Sequence, residues 1–161
     1  MTLHCELTSE EDTVRLAELL SKVLPVHIIV ALDGTLGAGK TRLVRAFAEA
    51  CGVPADDVTS PTFTLWQTYH GSRLIHHLDA YRVADEDEFD ALGFEECLDA
   101  EAVTFVEWAN RVEASLPPTQ QRLGLQIDVT SETSRSVTIS GPPDVEAALQ
   151  AATGDLSFQT L

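Results

Sequence analysis

Residues 34–41 read Gly34-Thr35-Leu36-Gly37-Ala38-Gly39-Lys40-Thr41, an unbroken match to G-x-x-x-x-G-K-[ST]. Residue types at that spacing suit the gripping of a polyphosphate. Glycines let successive backbone N–H groups turn inward around the anion, and a helix that begins at the loop adds the positive end of its dipole. The amides of Leu36, Gly37, Ala38, Gly39, Lys40 and Thr41, with the Lys40 ammonium as a point charge, would hold the phosphates of a nucleotide. The Thr41 hydroxyl stands where a Mg²⁺ that bridges those phosphates needs an oxygen ligand.

Phosphate chemistry on such a loop needs a further acid for the metal shell and a group that positions or senses the γ-phosphate. Asp79 closes the run Arg73-Leu74-Ile75-His76-His77-Leu78, and Glu107 closes Val103-Thr104-Phe105-Val106. Either acid would emerge beside the loop at the carboxyl edge of a sheet. A strand-end acid can equally be a helix cap or a solvated group. Ser60-Pro61-Thr62-Phe63 falls where a switch segment would lie, between the loop's helix and the next strand. The hydroxyls of Ser60 and Thr62 could reach Mg²⁺ or the γ-phosphate, the plainer alternative being a turn into a strand.

The elements that must carry these groups are readable from periodicity. Val26–Leu32 reads as the strand before the loop, and Arg42–Ala48 places apolar residues at helical spacing after it. Ser9 caps a helix whose stripe is Leu16, Leu19, Leu20 and Val23, ended by Pro25. Thr62–Tyr69 and Arg73–Leu78, separated by His70-Gly71-Ser72, read as a hairpin. Ala102–Val106 is an apolar strand, and Leu123–Val129 with Ser136–Ser140 forms a second hairpin across residues 131–134. A short helix follows at about Asp144–Ala152. These elements predict a single-domain α/β fold of P-loop NTPase type over residues 1–152, with a mixed parallel and antiparallel sheet flanked by helices. Residues 153–161 are expected to be a loose tail.

Composition narrows the partners. With 10 basic and 26 acidic side chains the 161-residue chain carries a formal charge of −16, and Lys22 and Lys40 are its only lysines. Tight direct binding of nucleic acid requires clustered cations, so contact with RNA or DNA is expected only through other proteins. Nine acids fall within Asp85–Glu101, either a solvated helical face or a docking surface for a basic partner. No stretch reaches the ~18 apolar residues of a membrane span. The start, Met1–Leu7, lacks a basic region and an apolar run, so a cytoplasmic location is expected. Cys5, Cys51 and Cys97 lie far apart and read as buried thiols. His76 and His77, adjacent on a strand, point to opposite faces and read as strand residues rather than a chelating pair.

Four segments together resemble one family: Leu36–Thr41, Ser60-Pro61-Thr62-Phe63, His77-Leu78-Asp79-Ala80-Tyr81-Arg82 and Glu107-Trp108. Their order and spacing are similar to those of the TsaE family, also called YjeE, over roughly residues 5–140. Those proteins are bacterial P-loop ATPases of tRNA threonylcarbamoyladenosine biosynthesis. The resemblance implies an ATPase that acts with TsaB and TsaD, which attach threonylcarbamoyl to adenosine 37 of tRNAs reading ANN codons. It implies hydrolysis that resets that complex between turnovers, with ATP and Mg²⁺ as cofactors and tRNA met only through the partners. By position it implies Thr41 and Glu107 as Mg²⁺ ligands, and Asp79 as an acid that ligates through water or orients the attacking water. Glu10 and Arg135 would stand beside the nucleotide, and Trp108 near the site or in the core. Three departures accompany it: Thr35 where the family has Asp, His77-Leu78-Asp79-Ala80 for the commoner His-Phe-Asp-Leu, and Glu107-Trp108-Ala109 for Glu-Trp-Pro.

Two other readings stay open at this level. A small-molecule kinase would share the loop but needs a basic lid, and the eight arginines are scattered. A nucleotide-sensing scaffold would keep the loop without needing Asp79 or Glu107. A GTPase is disfavoured, because neither lysine lies in an N-K-x-D motif.

Overall fold

In a computed structural model that describes residues 2–59, 65–152 and 156–161, alternation of apolar residues opens the chain. Leu3, Cys5 and Leu7 face inward from strand β1 (Thr2–Leu7), an element not anticipated above. Helix α1 (Glu10–Val23) follows, its N-terminus capped by the Ser9 side chain, which accepts from the Asp12 amide. Strand β2 (Ile28–Gly34) leads into the glycine-rich loop and helix α2 (Lys40–Ala50). The first hairpin is β3 (Trp66–His70) and β4 (Leu74–Asp79). After β5 (Ala102–Glu107), the second hairpin joins β6 (Arg122–Val129) to β7 (Arg135–Ser140). Ser60 and Thr62 lie outside the described residues.

The acidic stretch 85–101, read as one helical segment, folds as two short helices, α3 (Glu86–Asp90) and α4 (Glu95–Asp99). Gly93, at φ 91°, turns the chain between them, which lets Phe89, Phe94 and Cys97 all face the sheet. Helix α5 (Pro143–Ala151) comes next. The tail expected to be loose instead places Gln159–Thr160 as a short edge strand, β8, antiparallel to Leu3 and His4.

Among the described residues eight strands form one sheet in the order β3-β4-β5-β2-β6-β7-β1-β8. The central strands β4, β5, β2 and β6 are parallel, and both hairpins and β1 pair antiparallel. Side chains alternate across β2. Val30 and Leu32 pack with Leu16, Leu20, Phe47 and Leu149 under α1, α2 and α5; Ile29 and Ala31 pack with Phe89, Phe94 and Val112 on the other face. Parallel pairing sends the ends of β2, β4 and β5 to one edge, which is where the loop begins.

The turn from β2 into the loop tolerates little. Gly34 has φ 148°, and a Cβ there would lie 2.4 Å from the Ile127 carbonyl oxygen on β6. Gly34→Ala is expected to destabilise the fold by about 2–4 kcal/mol, read from the urea unfolding midpoint, since backbone must move on both strands. A midpoint unchanged from wild type would show that the turn is laxer than this contact implies.

All three cysteines are buried and free. Burial pushes the Cys5 thiol up to about 12 and the Cys97 thiol up to about 11, so neither is a nucleophile at neutral pH. Among the described residues no helix is long and apolar enough to cross a membrane.

Candidate functional site

The loop bends through Gly37 (φ 80°) and Gly39 (φ 107°), left-handed positions that favour glycine, and Gly39 caps α2. Lys40 folds back over the loop it belongs to. Its Nζ donates to the carbonyl oxygens of Gly34 at 2.6 Å and Thr35 at 3.0 Å, and lies 3.9 Å from the centre of a Trp108 ring. Burial pulls this amine below its ordinary range, while the charges of Glu107, Asp33 and Asp79 pull it back.

The two strand-end acids meet because β4 and β5 run parallel and in register: Asp79 stands opposite Glu107, and Glu107 opposite Leu32 of β2. Both are buried, at 5% and 2% exposure. The Thr41 hydroxyl, in the first turn of α2, donates to Oε1 of Glu107 at 2.7 Å. Asp79 Oδ1 accepts from the Tyr81 amide at 2.8 Å, and the Ala80 amide donates to the Glu107 carbonyl at 3.0 Å, so the turn after β4 is tied to β5. His77 Nε2 approaches Oε2 of Glu107 at 3.5 Å.

One cavity, of about 960 Å³, collects these groups. Residues 36–41, Asp79, Glu107, Glu10 and Arg135 all line it, so the structure brings together every described residue singled out in the sequence as a site candidate. Arg135 differs in use from the expectation of a cation beside the nucleotide. Its Nε donates to the Ala38 carbonyl at 2.9 Å, another nitrogen reaches the Gly37 carbonyl at 3.3 Å, and a third serves Ser131 and Ser134. The guanidinium straps the loop to the β6–β7 turn. Glu10 reaches the cavity from the exposed first turn of α1.

The rim near Glu10 is fixed by Asp12, whose Oδ2 accepts from the Thr8 amide at 2.8 Å and the Thr8 hydroxyl at 2.9 Å, and whose Oδ1 accepts from Arg15 at 2.7 Å. The Thr8 amide, with help from the Thr8 hydroxyl and Arg15, holds this carboxyl below the usual carboxylate range against the opposing effect of burial. A depressed folded-state pKa contributes stability above the unfolded value of ~4 and loses it as pH falls through the folded value. Asp12→Ala is therefore expected to cost about 1–2 kcal/mol at pH 7, with the gap to wild type narrowing in denaturation curves as pH falls through the depressed folded-state value. A gap that stays constant down to acid would remove the charge from this account.

Among further lining residues, Tyr81, Arg82 and Trp108 fall within the segments that carried the resemblance, whereas Arg42, Glu132 and Thr133 had no signal in the sequence. The Tyr81 and Trp108 rings meet at a 42° tilt with centroids 4.8 Å apart, and Trp108 holds a left-handed backbone (φ 58°), unusual for an aromatic residue. Asp33 stands beside the loop at the end of β2; burial raises its carboxyl, opposed by the Asn110 amide that donates to it at 2.9 Å. Its place directly before Gly34 was the available clue.

The family model described as "Threonylcarbamoyl adenosine biosynthesis protein TsaE" matches residues 7–137. The chain belongs to the TsaE family. Among relatives named "tRNA threonylcarbamoyladenosine biosynthesis protein TsaE", this family member is 33% identical to that of Treponema pallidum (strain Nichols) over 138 residues, 86% of this chain and 100% of the relative. It is 37% identical to that of Bacillus subtilis (strain 168) over 139 residues, 86% of this chain and 85% of the relative. The same TsaE-type architecture is seen in the crystal structure of YdiB from Bacillus subtilis. That structure superposes with a TM-score of 0.74 at 29% identity, covering 93% of each chain.

The donor set of the site fits Mg²⁺. Thr41, Glu107 and Asp79 offer hard oxygens, and among the described residues no three His, Cys, Asp or Glu gather into a closed metal cage. Mg²⁺ is usually held this way, by one or two carboxylates together with substrate phosphates and water.

Proposed function

We propose that the chain is a Mg²⁺-dependent ATP hydrolase serving the formation of threonylcarbamoyladenosine at position 37 of tRNA, in concert with TsaB and TsaD. The observation that carries this reading is the contact between the Thr41 hydroxyl and the buried Glu107, with Asp79 in register beside it at the mouth of a phosphate loop. A bare nucleotide sensor has no need of two buried carboxylates there. The names of the relatives supply the pathway.

In this reading the loop amides and Lys40 hold the phosphates, Lys40 exchanging the Gly34 and Thr35 carbonyls for phosphate oxygens. Bound Mg²⁺ would neutralise charge that develops on the phosphates, held by Thr41 and Glu107 with Asp79 through water. Asp79, fixed by the Tyr81 amide, orients the attacking water. Arg135 keeps the loop carbonyls turned away from the anion. Hydrolysis resets the partner complex between turnovers; a chain at −16 reaches tRNA through those proteins, and the exposed acids of 85–101 offer them a docking surface.

ATP hydrolysis by the purified chain, alone and with cognate TsaB, TsaD and tRNA, tests the proposal against Thr41→Ala. Stimulation by the complex that the variant lacks is the expected result. Transfer of the γ-phosphate to a metabolite would establish the kinase instead, and unchanged partner function in Asp79→Ala and Glu107→Ala would establish the scaffold.

A further inference from the structure

His77 stands on β4 two residues before Asp79 and is fully buried. Neither ring nitrogen has a hydrogen-bond partner among the described residues, although an imidazole carries at least one N–H that needs an acceptor. The neighbouring Tyr69 ring, 6.4 Å away between centroids, offers none: its hydroxyl donates to the Thr59 carbonyl at 2.7 Å. The strand neighbour Phe105 is apolar. One charged acceptor does stand close, Oε2 of Glu107 at 3.5 Å from Nε2. A shift of about half an ångström brings that pair to hydrogen-bonding distance.

Among the described residues, Glu107 accepts a side-chain hydrogen bond at one oxygen. Thr41 anchors Oε1, and a carboxylate pinned at a single oxygen still turns about its terminal torsion, which is broad and shallow. A donor at the second oxygen stops that rotation. We propose that His77 is a positioning residue for Glu107: its Nε2–H donates to Oε2 and holds the carboxylate so that Oε1 faces Thr41 and the cavity. The inference rests on the Mg²⁺-dependent nucleotide reading given above. Donors behind a metal-binding carboxylate typically change metal affinity or activity by 10–100-fold when removed.

The test compares wild type, His77→Leu and His77→Gln by titrating Mg²⁺ into ADP-saturated protein and following the thermal midpoint. The Mg²⁺ needed for half-maximal hydrolysis and the ADP affinity in EDTA are measured alongside. His77→Leu should need about tenfold more Mg²⁺ in both titrations, with ADP affinity in EDTA unchanged. His77→Gln, whose amide nitrogen reaches the position of Nε2, should return the requirement to within about threefold of wild type. A Mg²⁺ requirement unchanged in His77→Leu, or shifted equally in Leu and Gln variants, overturns the positioning role. If His77→Leu does not fold, His77→Asn takes its place, since its shorter amide reaches Nδ1 and not Nε2; equal requirements in Asn and Gln variants overturn the role in the same way. Absence of any Mg²⁺-dependent ADP stabilisation in wild type overturns the nucleotide reading itself, and this inference with it. Normal Mg²⁺-dependent binding in wild type with no shift in the variants overturns His77 alone.

Discussion

Lys40→Ala is expected to raise the dissociation constant for ADP or ATP by about ten- to a hundredfold, while leaving the folded state within ~1 kcal/mol of wild type. The first half follows from charge: the ammonium supplies charge-assisted hydrogen bonds worth about 1.5–3 kcal/mol in a site shielded from water. The second half follows from what Lys40 does without nucleotide. Its Nζ satisfies the Gly34 and Thr35 carbonyls and sits on Trp108, but burial already works against its charge. Losing those bonds and losing a desolvated cation oppose each other. Isothermal titration calorimetry paired with urea denaturation reads both halves. Nucleotide affinity within threefold of wild type would end the assignment of Lys40 to the phosphates.

Glu107→Gln separates holding the nucleotide from turning it over. The amide is nearly isosteric, and its carbonyl oxygen still accepts from Thr41, so the 2.7 Å contact survives. What disappears is the negative charge at the end of β5. ATP hydrolysis is expected to fall by about 10²–10³-fold, with ADP affinity in EDTA within about twofold of wild type. Equal hydrolysis rates would remove Glu107 from the chemistry. A loss of affinity in EDTA equal to the loss of rate would recast the residue as part of the fold.

The parts of this molecule that read well from sequence are those encoded over a few consecutive residues. The phosphate loop is such a case, because its glycines sit where the backbone turns left-handed at Gly37 and Gly39. Asp79 and Glu107 were legible as strand ends, and two hairpins as pairs of β-rich runs. Their meeting was less so, since only the parallel register of β4 on β5 sets one acid opposite the other. Strand β1 carries a plain alternation, Leu3, Cys5 and Leu7, yet its partner β7 lies more than a hundred residues away, and periodicity says nothing of pairing over that distance. Strand β8 has two residues and no pattern at all. Arg135 shows a different limit. Its position near the loop was foreseeable, but that its donors would be spent on the Gly37 and Ala38 carbonyls depends on how the β6–β7 turn folds. His77 was read as a strand residue, but that its buried ring nitrogens would find no hydrogen-bond partner among the described residues could not be read from residue type or spacing.

The loop leaves the fourth of the eight described strands, which has a parallel neighbour on either side and helices over both faces. Amide hydrogens of β2 should thus exchange only when the whole domain opens, whereas those of β3 and β8 at the margins exchange through local fraying. Under the proposed function, a phosphate group would be gripped at the stiffest point of the molecule. The motion that reports the nucleotide to a partner would then come from the perimeter, from the largely exposed 131–134 turn that Arg135 ties to the loop, moving against a stationary centre.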